Sequence, residues 1–148
     1  MALTRYMLAG TILLRGSYSM AIFLGSVIFL SGGPNLIGID SYFEHILQSL
    51  GPVVCFFWGL YASGYFVAGL LAAWGRGLAL PVYGAAMMID FVLWIASSLE
   101  TYYDLSFQGR APKLDIVFNL IDIALFVSLI LALRLKLLTP LRWSVKAH

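Results

Sequence analysis

Residues 114–135 read LDIVFNLIDIALFVSLILALRL. The run is apolar on every side of a helix, with Asp115, Asn119 and Asp122 as its polar interruptions before Arg134. A helix rises about 1.5 Å per residue, so about 20 such residues cross a hydrocarbon layer of about 30 Å. Three more stretches meet the same requirement: 10–33, 52–75 and 77–98. The first contains Arg15 and the third contains Asp90, while the second carries no charge before its end. In lipid each backbone N–H and C=O must be satisfied within the protein, which leaves helices or closed barrels. These segments are too long and too evenly apolar for barrel strands, which alternate in about ten-residue units. The expectation is an all-α integral membrane bundle of four transmembrane helices, one domain over residues 1–148, with a basic tail at 136–148.

Composition points the same way. The chain has 148 residues, of which 61% are hydrophobic and 11% charged, and its mean hydropathy is +0.93. A soluble domain carries about a quarter charged residues, so a soluble enzyme, a nucleic-acid module and a secreted disulfide scaffold are disfavoured. A single cysteine, Cys55, allows no internal disulfide and no paired-cysteine motif. The two histidines, His45 and His148, fall in an early loop and at the C-terminus, not within spans whose faces could pair them. The chain has no phosphate loop, nucleophile elbow, HExxH or EF-hand pattern.

Lysine and arginine set the expected orientation. Seven of the nine basic residues, Arg5, Arg15, Arg76, Arg134, Lys136, Arg142 and Lys146, fall on one side of the four spans. Both termini are therefore expected in the cytoplasm. Arg15 reads first as an anchor that snorkels along its aliphatic stem, and second as a paired charge. Trp58 and Trp94 read as anchors at the outer interface, and Trp74 and Trp143 at the inner one. The N-terminal segment reads as an uncleaved span, because Arg15 splits the apolar run and Ser31-Gly32-Gly33 fits a cleavage site poorly. Between spans one and two, Ser41 to Leu50 places Ile46, Leu47 and Leu50 opposite Asp40, Glu44 and Gln48. This predicts a short interfacial helix, with Ser41 and Glu44 forming a capping box. The second outer connection, Leu99 to Lys113, is aromatic and charged.

Ionisable residues within spans cost roughly 2.5 kcal/mol or more each and are the first pointers to function. Asp90 and Asp122 each lie eight residues from the outer end of their span, at the same expected depth. Asp115, Asn119 and Asp122 form one stripe on span four, at i, i+4 and i+7. On span two, Trp58, Tyr61 and Tyr65 share a face, and Tyr61 has the depth of the two aspartates. A ligand- or proton-binding site of Tyr61, Tyr65, Asp90, Asn119 and Asp122 is one reading. Two aspartates that only lock helices together, through Tyr, Ser or backbone partners, is the other. Carboxylates sharing a pocket suit a proton carrier, or a partner for a quinone or lipid headgroup. A metal is not expected, since a hard cation normally takes more oxygen ligands than these.

The order of features resembles the DoxX-like small four-helix membrane proteins. The resemblance rests on an Arg before a first span with Leu24-Gly25 and a Ser-Gly-Gly end, and on the interfacial helix closing at Leu50-Gly51-Pro52. It continues in the glycine-rich stretch Gly64 to Gly75 and in the turn Gly75-Arg76-Gly77-Leu78-Ala79, and covers about two-thirds of the chain. Span two carries no acidic residue where the pattern often has one, and Asp90 and Asp122 match none of its motifs. The resemblance implies a four-helix bundle associated with quinone-linked oxidation or with a partner subunit, and it transfers no catalytic residue. The expected function is a non-catalytic accessory subunit of a larger assembly in a bacterial cytoplasmic (inner) membrane. The alternatives are a small proton-coupled transporter or channel using Asp90 and Asp122, or a quinone- or lipid-binding subunit of a redox complex. The expected partners are the bilayer and other membrane subunits or a second copy, with no nucleic acid. No intrinsic cofactor is expected, and a quinone is the one that the setting allows.

Overall fold

The computed structural model describes residues 2–98 and 111–139. The described residues form five helices: α1 (Ala2–Leu30), α2 (Ser41–Ser49), α3 (Pro52–Ala73), α4 (Ala79–Ser98) and α5 (Ala111–Arg134). Four of them, all but α2, are long and apolar enough to cross a membrane. The fold class expected from the hydropathy pattern is the one found, including the short helix between spans one and two. Of the connection expected at Leu99 to Lys113, residues 99–110 lie outside the described residues, as does Trp143, while 111–113 already belong to α5.

The four long helices wear their apolar residues outward. Phe56, Val67, Met88, Val92, Leu120 and Ile123 are all exposed. The interior combines small residues, Ala62, Ala68, Ala72, Ala79 and Ala86, with Ile12 and Leu129, around the buried rings of Tyr65 and Tyr83 and the buried carboxyl of Asp122. This suits a lipid solvent, where apolar surface gains nothing by leaving the exterior and small side chains let backbones approach. Gly16 on α1 faces the α3 backbone so closely that a Cβ there would stand 2.6 Å from the Phe66 nitrogen. On α3, a Cβ on Gly64 would stand 2.9 Å from the Ala86 Cβ of α4. Gly59 meets Phe23 of α1, while Ser63 on the same helix is exposed.

Two further departures concern local geometry. α1 starts at Ala2, well before the expected start at residue 10, which places Arg15 deep within a continuous helix. The cap of α2 is Asp40, not Ser41. Asp40 keeps extended backbone angles and its carboxylate accepts from the Phe43 N–H at 2.7 Å, while Glu44 accepts from Gln48 Nε2 at 2.9 Å. With the helix beginning one residue earlier, the Glu44 N–H that Ser41 would have capped bonds instead to the Asp40 carbonyl at 2.9 Å.

Each end of the bundle is closed differently. At the end bearing the start of α1, Thr139 N donates to the Gly75 carbonyl at 2.7 Å and Gly77 N donates to the Thr139 carbonyl at 3.0 Å. The chain after α5 is thereby stitched to the α3–α4 turn, where Gly75 adopts a φ of 69°. At the other end, the connection between α1 and α2 folds back over α1. Asn35 braces it with two bonds to the Ile39 backbone, at 2.7 and 2.8 Å, and Ile37 packs onto Gly25.

Candidate functional site

Arg15 is the centre of the polar interior. Its Nε donates to Asp122 Oδ1 at 3.0 Å and its Nη2 to Asp122 Oδ2 at 2.8 Å, a two-pronged pair. The same Nη2 donates to Asp90 Oδ2 at 2.9 Å, and Nη1 donates to Ser19 Oγ one turn along α1. The guanidinium lies 4.7 Å from the Tyr65 ring centroid and 5.3 Å from that of Phe118. Planar, delocalised and weakly hydrated, a guanidinium suits such a buried forked contact better than an ammonium.

The expectation that Arg15 snorkels is corrected. Arg15 lies 13 residues into α1, about 20 Å from its start at 1.5 Å per residue, farther than its side chain extends. Burial of a cation at that depth demands compensation, and two carboxylates from α4 and α5 supply it.

The two carboxylates are not equivalent. Asp122 is nearly enclosed, its side chain 2% exposed, and besides Arg15 it receives the Tyr83 hydroxyl at 2.7 Å. The Asp90 side chain keeps 21% of its surface, and its bonds among the described residues both fall on Oδ2. The Tyr65 hydroxyl stands 3.1 Å from Oδ2 of both Asp90 and Asp122. It has one proton for two acceptors, so its donation can move from one carboxylate to the other. With one guanidinium and two carboxylates, the cluster carries one negative charge in excess when both acids are ionised.

A cavity of about 440 Å³ adjoins this cluster on the side of α2. Arg15, Asp90 and Asp122 contribute to its wall, with Asn119, Tyr61, Trp58 and Trp94. Ile37, Gly38, Asp40 and Phe43 line it from the α1–α2 connection and α2. The folded-back connection therefore serves as part of the cavity wall, which explains the bracing by Asn35.

The structure brings Tyr65, Asp90 and Asp122 into one hydrogen-bonded group and places Tyr61 and Asn119 on the cavity beside it. Tyr61 packs edge-on against Tyr65, with centroids 5.9 Å apart. Counting residues for depth favoured Tyr61 as the partner of the aspartates, yet Tyr65 makes the bonds. Helical side chains lean toward the N-terminus, by about a turn for a tyrosine, so the hydroxyl of the deeper residue reaches the carboxylates. Trp58 and Trp94, expected as interfacial anchors, are half-buried cavity walls, whereas Trp74 is exposed at the end of α3. The side chain of Asp115 lies outside the described residues.

Tyr83 and Ser19 were not anticipated. Tyr83 lies seven residues before Asp90 on α4, two turns along the same face, and that spacing was the available signal. The signal for Arg15 was charge balance: two aspartates at one depth inside a bundle call for a cation, and Arg15 lies inside a span. Among the described residues, no group of three His, Cys, Asp or Glu side chains could hold a metal ion. Comparison with protein-family models, curated proteins and solved structures finds no match to this chain.

Proposed function

We propose that this protein is a small membrane carrier that binds a polar solute in the cavity, with Asp90 as the carboxylate that exchanges a proton for the solute and both termini in the cytoplasm. One observation carries the reading: a partly exposed carboxylate stands on the wall of a 440 Å³ cavity beside a buried Arg15–Asp122 pair. A polar network that only locked helices of an accessory subunit would need no space beside it, since empty volume forfeits packing. Asp122 and Arg15 neutralise each other and hold α1 against α5. Asp90 is left with a shared Arg15 nitrogen, a shared Tyr65 proton and the cavity. When Asp90 takes up a proton, Tyr65 can turn its own proton fully to Asp122, so the cluster stays satisfied in both states.

The test is proton movement in liposomes loaded with a pH-sensitive dye, acidic inside, and challenged with organic cations, carboxylic acids and neutral polar solutes. A carrier makes at least one class alkalinise the lumen, beyond protein-free vesicles, and Asp90→Asn abolishes the response. If no class moves protons, the carrier reading fails and an accessory role is favoured. Reporter fusions at the C-terminus test the topology: activity of an externally active reporter would reverse it.

A further inference from the structure

We infer that the cavity accepts a monovalent organic cation with an apolar substituent, its charged head against Asp90 and its apolar part among Trp58, Tyr61 and Trp94; this inference rests on the binding role proposed above. The described residues lining the cavity include one cation, Arg15, and three carboxylates, Asp40, Asp90 and Asp122. The cation is already engaged. Arg15 makes three bonds to the two buried aspartates and a fourth to Ser19, and its faces approach the rings of Tyr65 and Phe118. An anionic ligand would have to break that pair, at the cost of leaving Asp122 buried without its counter-ion.

Side-chain exposure falls from 21% at Asp90 to 10% at Arg15 and 2% at Asp122, so the charged group most open to a ligand is a carboxylate. Among the described residues, both bonds to Asp90 fall on Oδ2, and the carboxylate stands on the cavity wall. Trp58, Tyr61 and Trp94 come from α3 and α4, and ring faces attract cations, most of all where water is displaced. A neutral quinone offers the carboxylate no donor, and enclosing Asp90 beneath it would leave the cluster's excess negative charge unbalanced.

The experiment is equilibrium dialysis of radiolabelled benzyltrimethylammonium against the full chain in lipid nanodiscs, with empty nanodiscs subtracted. This probe cannot shed its charge by losing a proton. Labelled benzoate and duroquinone provide the anionic and neutral arms. Saturable binding of the cation, undisturbed by excess benzoate, is expected. Asp90→Asn should weaken it more than tenfold, Asp90→Glu should retain binding, and Trp94→Leu should weaken it several-fold. Size-exclusion profiles and melting curves show whether each variant is folded. Saturable benzoate or duroquinone binding without cation binding overturns the ligand class and leaves the binding role standing. Cation binding that is indifferent to both Asp90→Asn and Trp94→Leu overturns the assigned site. If none of the three probes binds saturably, the ligand class and the binding role fall together.

Discussion

Where the termini of α1 and α5 meet the α3–α4 turn, Ala9, Ala68, Ala72, Ala79 and Ala132 close the helices on one another. Toward α2, Trp58, Tyr61, Trp94 and Phe118 line a cavity instead. The Arg15–Asp90–Asp122 cluster lies at the boundary between these regions. Small residues give the first region contact without directionality, and its cost of distortion is steric. The second is held by directional bonds among charged groups, and its cost of disruption is electrostatic. A ligand-binding site needs the second kind of construction, because only there can volume be left open without losing the position of the helices.

Arg15→Leu should be the most damaging change, leaving Asp90 and Asp122 buried without a counter-ion. A loss of about 3–5 kcal/mol is expected, read as a shift in reversible unfolding in mixed detergent micelles. A smaller loss for Arg15→Leu combined with Asp122→Leu would identify the stranded charge as the cause. Asp122→Asn should follow at about 2–3 kcal/mol, because bonds to a charged acceptor are lost and an amide N–H faces a donor. Asp90→Asn should cost clearly less than Asp122→Asn in the same assay, since Asp90 is more exposed and less bonded. Equal losses would contradict the division of labour between the carboxylates.

Gly16→Ala tests the close-packed construction. Its Cβ would meet the α3 backbone, which cannot turn aside as a side chain can, and overpacking of this kind typically costs 1–3 kcal/mol, so about 2 kcal/mol is expected. Tyr83→Phe removes one short bond to Asp122 and should cost about 1.5 kcal/mol. Tyr61→Phe leaves the bonds to the aspartates intact, and a change within about 0.5 kcal/mol is expected. A large destabilisation by Tyr61→Phe would transfer to Tyr61 the role assigned here to Tyr65.

Much of this architecture was legible along the chain. The four apolar runs, the amphipathic stretch Ser41 to Ser49 and the depth of Asp90 and Asp122 all come from counting residues. Less was legible at the site. A span starting at residue 10 places Arg15 near its end, where an anchor belongs, whereas its bonds reach residues 75 and 107 positions away. Tyr83 had no motif to mark it, only a two-turn spacing from an aspartate. Tyr61 and Tyr65 differ by one turn, and only side-chain direction separates their roles.

The amino-acid sequence by itself determined that the chain forms long apolar helices, since in lipid each backbone group must find its partner within its own segment. It also determined that Asp90 and Asp122 lie at one depth, because depth along a helix is a count of residues. Only the tertiary structure decided which faces meet, that Arg15 turns inward between the aspartates, and that a cavity remains beside Asp90. Hydropathy that is nearly uniform around a helix leaves its rotation undetermined. That rotation is set by glycine contacts between backbones and by charge pairing between distant residues, and neither leaves a local mark in the chain.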